Sequence, residues 1–130
     1  RPKMEFSSTQ PIYLQIVNWV LEQILSENWK AGEKVMSVRE LAVHFEVNAN
    51  TVMRSYDYLQ NNQILMNKRG IGFFVAENAV EIIKTLRKKQ FMEEEVPVFL
   101  KHLRLLDIDI QEIINLYNDN SVKTPEINEQ

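Results

Sequence analysis

Two short amphipathic runs, separated only by Glu46-Val47-Asn48, constrain this chain more than any other feature. The first run opens at Ser37, with Glu40 three residues on. That spacing predicts a capping box, in which the serine hydroxyl and the glutamate carboxylate each satisfy a backbone N–H left over at a helix start. Val38, Leu41, Ala42 and Phe45 then give a short helix with one apolar stripe. The second run places Val52, Tyr56 and Leu59 inward, with Met53 a further inward candidate, and ends at Asn61-Asn62. Asn48, Asn50 and Thr51 crowd its start, although one side chain is enough to cap a helix. The surplus amide and hydroxyl need another use.

The flanks complete the pattern. Residues 1–10 are polar and irregular, with Arg1 to Lys3 expected ahead of the ordered part. Pro11 follows Ser8, Thr9 and Gln10 and suits a first helical turn. From Ile12, the residues Ile16, Trp19, Val20, Leu21, Ile24 and Leu25 recur at helical spacing until "NWKAGEK" breaks the pattern at Gly32. Val35 and Met36 read as a short extended bridge. Beyond the second run, Ile64 to Met66 and Phe73 to Val75 are β-prone segments around Asn67, Lys68, Arg69, Gly70, Ile71 and Gly72. Glycines two apart between such segments predict a hairpin whose turn needs unusual dihedrals. Helix, helix, short turn, helix, hairpin is the order of a winged helix-turn-helix, here over residues 1–76. The fold class expected is therefore mainly α with a small β-hairpin wing.

In this architecture the second helix of the pair enters the major groove of DNA, and its N-terminal residues meet base edges and phosphates. A helix N-terminus also directs free amides and partial positive charge at an anion. Asparagine can donate and accept together, which matches adenine; threonine can bond a phosphate or touch a thymine methyl. Asn48, Asn50 and Thr51 thus acquire a role, with Arg54 one turn further along the face bearing Asn50. Arg39, at the start of the preceding helix, can reach backbone phosphate. Lys68 and Arg69, beside Gly70 and Gly72, put cations and a close-approaching backbone at the hairpin tip. Net charge is −3, yet residues 1–76 carry eight basic against seven acidic residues and residues 77–130 seven against eleven. The first part is relieved of acid, as a DNA-facing unit requires.

The stretch Pro11 to Ala76 resembles the DNA-binding domain of the GntR family of bacterial transcription regulators. The pieces that carry the likeness are "PIYLQI", "SVRELA", "VNANTVMRSY" and "RGIGFFV". The resemblance implies DNA contacts from Arg39, Asn48, Asn50, Thr51, Arg54 and the wing glycines. Two positions depart from the family's habit. Met36 stands where proline usually precedes "SVREL", and Ala49 stands where many members carry a base-reading arginine. Operator preference is therefore expected to differ.

From Asn78 a second pattern starts. Ile83 and Leu86, then Met92, Val96, Phe99, Leu103 and Leu106, are spaced by threes and fours and predict one apolar seam on a long helix. Pro97 falls inside it, so a kink or break is expected near Val96. Asp109 with Glu112 marks another helix start, with Ile110, Ile113, Ile114 and Tyr117 on its apolar side. One short helix cannot cover such a seam, so residues 77–119 are expected to dimerise; folding back on the chain's own winged unit is the alternative. Residues 120–130 read as a loose polar tail. The 54 residues from Glu77 onward are short for the effector domains of other GntR branches and resemble the YtrA-like subfamily, with its helical dimerisation tail. The expected partners are a double-stranded, pseudo-palindromic DNA operator and a second copy of the chain. Family habit adds a repressor of its own operon, often one encoding a transporter.

Enzymatic chemistry is not expected. His44 and His102 lie far apart, no cysteine is present, and Glu93-Glu94-Glu95 fan around a helix instead of converging. No cofactor or metal is indicated, and the sequence leaves a small-molecule effector open. No apolar run approaches the roughly 18 residues of a membrane span, and a cytoplasmic location is expected. The rival reading is a winged helix that binds protein. Such domains carry acidic or apolar residues where this chain has Arg39, Asn48, Asn50, Thr51, Arg54, Lys68 and Arg69.

Overall fold

The computed structural model describes residues 5–125; Arg1 to Lys3 and the last part of the expected polar tail lie outside them. The chain divides into two units, the first running to Lys84 and the second from Thr85.

The first unit begins with α1 (Ile12–Leu25), whose N-cap is Pro11. Proline offers no capping side chain, and the entry is held instead by Gln15. Its buried amide donates to the carbonyl oxygens of Ser7 at 2.8 Å and Gln10 at 2.7 Å and accepts from the Ser7 N–H. Next come α2 (Val38–Phe45) and α3 (Ala49–Asn61). The capping box of α2 is complete: the Ser37 hydroxyl accepts from the Glu40 N–H at 3.1 Å, and the Glu40 carboxylate from the Ser37 N–H at 2.8 Å. Glu46 ends α2 in the left-handed conformation (φ 56°), and the Val47 N–H returns to the Ala42 carbonyl at 3.0 Å. That reversal turns the chain from α2 into α3 within the brief break seen in the sequence.

Helix α3 packs on both α1 and α2. Ile16, Val20 and Ile24 of α1, Leu41 and Phe45 of α2, and Val52, Tyr56 and Leu59 of α3 are buried. Each such aliphatic contributes about 1.5–3 kcal/mol relative to exposure, which makes this three-helix junction the main stabilising feature of the unit. Trp19 lies at the junction edge, with its ring edge-on to Trp29 and Phe45. Ser55 is buried among these side chains, and its hydroxyl donates to the Tyr13 carbonyl oxygen at 2.8 Å. A buried hydroxyl satisfied in this way costs little and fixes the register of α1 against α3.

The hairpin consists of β1 (Leu65–Lys68) and β2 (Gly72–Val75), paired antiparallel with Leu65 opposite Val75 and Lys68 opposite Gly72. The strands run closer to the tip than the β-prone residues alone suggest. Gly70, at φ +77°, lets the chain turn within Arg69–Ile71, and the Ile71 N–H closes on the Lys68 carbonyl at 2.9 Å. The expected extended bridge is present but centred on Lys34, which pairs with Phe74. The Val35 N–H bonds to the Phe73 carbonyl and the Val75 N–H to the Glu33 carbonyl, each at 2.9 Å. Strand β2 is thereby bonded on both edges.

After the hairpin comes α4 (Ala79–Gln90), whose Ala79 and Ile83 are buried within the first unit. In the second unit a π-helical turn (Phe91–Glu95) leads into α5 (Val96–Leu105), followed by α6 (Ile110–Asn118) with the Asp109/Glu112 capping box in place. Near Val96 the backbone does not break: Glu95 (φ −95°, ψ −42°) and Val96 (φ −59°, ψ −43°) both stay helical. The Val96 N–H reaches back five residues to the Phe91 carbonyl. A proline removes a donor and pushes on the carbonyl four residues before it; the wider turn just upstream of Pro97 accommodates both effects.

Candidate nucleic-acid interface

Asn48 is the cap of α3. Its backbone is extended (φ −64°, ψ 136°) and its Oδ1 accepts from the Asn50 N–H at 2.7 Å. That leaves the Asn50 side chain exposed, with Thr51 half-buried beside it and Arg54 exposed one turn on. The buried positions Val52, Ser55, Tyr56 and Leu59 fix the opposite side of the cylinder, so Asn50, Met53, Arg54 and Asp57 share the outward face. The first turn of α3 holds no acidic residue, so no carboxylate within it offsets the partial positive charge of the helix start. Asp57 is the acidic member of the outward face, one turn beyond Arg54 and two beyond Asn50 towards the C-terminus.

The side chains around this helix start form two open clefts. Pro11, Ile12, Tyr13, Asn50, Thr51 and Arg54 line one of about 320 Å³. Arg39, Ala42, Val43, Glu46, Val47 and Ala49 line another of about 530 Å³. The structure therefore gathers Asn50, Thr51 and Arg54 on one side of the α3 start, with Arg39 and Ala49 on the other. Tyr13 was not among the residues expected here, although it sits in the quoted "PIYLQI". Its ring lies under the Arg54 guanidinium, whose carbon is 3.9 Å from the ring centroid. Helical spacing alone could not reveal that contact, because it joins α1 to α3.

At the wing, Arg69 and Gly70 are exposed and Gly72 is half-buried. A Cβ on Gly70 would meet nothing within 4 Å, so the positive φ is what selects glycine there. At Gly72 (φ +142°) a Cβ would come within 2.9 Å of the Lys34 Cε. Lys34 is thus a further cation at the wing that sequence reasoning missed, since only the bridge to Phe74 brings it there. Lys68 lays its ammonium 4.3 Å from the centre of the Phe74 ring, which restrains it while leaving its charge at the surface. Glu40 faces the same neighbourhood, and its carboxyl is held below the usual range by hydrogen bonds from the Ser37 backbone and hydroxyl and by the charge of Lys34.

In the second unit Leu103 is buried and Val96 and Ile113 are half-buried, whereas Met92, Phe99, Leu106, Ile110, Ile114 and Tyr117 are exposed. Phe91, Val98, Leu105 and Leu116 add exposed apolar surface that the seam had not included. Among the described residues, no helix is long and apolar enough to cross a membrane.

A helix-turn-helix with amide, hydroxyl and guanidinium groups gathered at the second helix start, followed by a glycine-tipped hairpin, is a winged-helix DNA-binding protein. Comparison with known proteins narrows the class. The family described as "Bacterial regulatory proteins, gntR family" matches residues 12–75. The chain is 34% identical over 110 residues to the HTH-type transcriptional regulator YhcF of Bacillus subtilis, covering 85% of this chain and 89% of that one. It is 35% identical over 102 residues to the HTH-type transcriptional repressor YtrA of the same organism, covering 78% and 72%. A GntR-family regulator structure from Bacteroides thetaiotaomicron superposes with a TM-score of 0.73 at 50% identity, over 82% of this chain and 92% of that one. The chain belongs to the GntR family and is a DNA-binding transcription regulator; these relatives are regulators, not enzymes.

Proposed function

We propose that the chain acts in the cytoplasm as a dimeric, sequence-specific repressor on a pseudo-palindromic operator. One observation carries the dimer in this reading: much of the apolar surface of α5, α6 and the turn between them is exposed. Leu106 is 68% exposed and Tyr117 90% exposed, with Phe99, Ile110 and Ile114 beside them in the sequence pattern. Surface of that kind calls for cover, and a second copy supplies a matching face by symmetry. Two copies carry two α3 helices, which suits two half-sites related by a twofold axis. Dimerisation also doubles the phosphate contacts of a unit with little net basic charge.

In each copy, Asn50, Thr51 and Arg54 meet base edges or phosphates, Asn48 holds the helix start, and Arg39 binds the backbone. Lys68 and Arg69, with Gly70 and Gly72 shaping the tip, bring the wing to the flanking phosphates. The dimer interface uses Met92, Val96, Phe99, Leu103, Leu106, Ile110, Ile113, Ile114 and Tyr117. Repression needs only that bound protein exclude the transcription machinery, and the relative YtrA is named a repressor. The expected target is the chain's own operon, with a transporter among its genes; the inducing signal is unassigned. The test is fluorescence anisotropy with a duplex from upstream of its own coding sequence, against a scrambled duplex of equal length. Preference for the upstream duplex supports the proposal; equal affinity for both contradicts it.

A further inference from the structure

We infer that Tyr13 is a positioning residue for Arg54, a platform that fixes the plane of the guanidinium before DNA arrives. The inference rests on the assignment of Arg54 to the DNA-facing side of α3.

Three observations converge on it. The Arg54 guanidinium carbon stands 3.9 Å from the centre of the Tyr13 ring, within range for a cation held on a π face. The platform is itself held: the Tyr13 carbonyl oxygen accepts from the Ser55 hydroxyl at 2.8 Å, and Ser55 is the buried neighbour of Arg54 in sequence. Tyr13 and Arg54 also wall the open cleft lined by Asn50 and Thr51. An arginine on an exposed helix face otherwise samples many rotamers, and binding must freeze them. Stacking on a half-buried ring removes part of that cost in advance. It also leaves the edge of the guanidinium, where the N–H donors lie, free for a planar acceptor pair such as a phosphate or the guanine edge.

A lysine would not serve here, because its ammonium is a point charge with no plane to set. The tyrosine hydroxyl is not needed for the effect; the ring is. Tyr13 contributes through Arg54, so its substitution has an effect only while Arg54 is present.

The test is a double-mutant cycle on the full chain, using a duplex selected from a random-sequence pool by the wild-type protein. Failure to enrich any duplex would defeat the sequence-specific reading itself, separately from this inference. With a selected duplex in hand, Tyr13→Phe is expected to bind within about twofold of wild type. Tyr13→Leu is expected to bind about 3- to 30-fold more weakly. In an Arg54→Ala background, Tyr13→Leu is expected to add nothing. Should Tyr13→Leu melt below the assay temperature, Tyr13→Gln replaces it in the same cycle. Additive losses from the two sites overturn the inference, and so does a Tyr13→Phe protein as weak as the leucine variant.

Discussion

The Tyr56 hydroxyl donates a 2.6 Å hydrogen bond to the carbonyl oxygen of Met36, tying the middle of α3 to the segment that leads into α2. The Tyr56 ring is fully buried and meets Phe73 of the wing edge-on, with centroids 4.9 Å apart. One side chain thus links α3, the entry to α2 and the hairpin. Because the acceptor is a backbone carbonyl, the bond does not depend on which side chain occupies position 36.

Tyr56→Phe keeps the ring and leaves the Met36 carbonyl without this donor. The expected cost is about 1–2 kcal/mol of stability, read as a lower midpoint in urea unfolding. The pH dependence follows from burial, which with the nearby Glu40 charge pushes the Tyr56 phenol well above its ordinary range. At pH above about 10 the unfolded chain ionises this tyrosine while the folded one keeps it protonated. Its stabilising contribution is therefore complete below that pH and is lost as pH rises beyond it. Wild type should lose stability more steeply than Tyr56→Phe over that alkaline range, and parallel curves would refute the assignment.

The wing and the helix start should respond differently to salt. Arg69→Ala is expected to weaken binding about equally on all sequences and to reduce the slope of log affinity against log salt by about 1. Arg54→Ala should cost roughly 1–3 kcal/mol on a selected site and relax preference at one base position if it reads a base. Titrations at several salt concentrations separate the two cases.

Charge placed on the exposed apolar surface should abolish the dimer. Phe99→Lys together with Ile114→Lys is expected to sediment as a monomer, with helix content retained by circular dichroism. Its operator affinity should fall sharply, since each half-site is then bound alone. A variant that remains dimeric would contradict the assigned interface.

Gln63 sits at φ +57° after the end of α3 and is exposed. A left-handed residue with a side chain is strained by about 1–2 kcal/mol, part of which glycine returns as unfolded-state entropy. Gln63→Gly should therefore raise stability by roughly 0.5–1 kcal/mol, read in thermal melts, with DNA binding unchanged.

What the sequence made legible was local. The Ser37/Glu40 and Asp109/Glu112 boxes and the apolar stripes of α1, α2 and α3 depend on residues within one or two turns, and each formed where its spacing placed it. Tertiary pairings were less legible. The strands extended to Lys68 and Gly72 because backbone pairing, not side-chain propensity, sets where a hairpin ends. Lys34 reached the wing through Phe74, and Tyr13 reached Arg54 through the α1–α3 packing, neither of which leaves a periodic trace. Pro97 marked a disturbance in the helix without stating its form, since a kink, a break or a π-turn each relieves the same clash.

The central claim is that α3 reads a specific sequence from a symmetric dimer. Selecting bound duplexes from a random pool with the full chain, then sequencing them, tests both parts together. The account predicts one enriched motif, an inverted repeat with a fixed spacing between half-sites. No enrichment over the starting pool, or enriched single half-sites with no partner at a fixed distance, would contradict it.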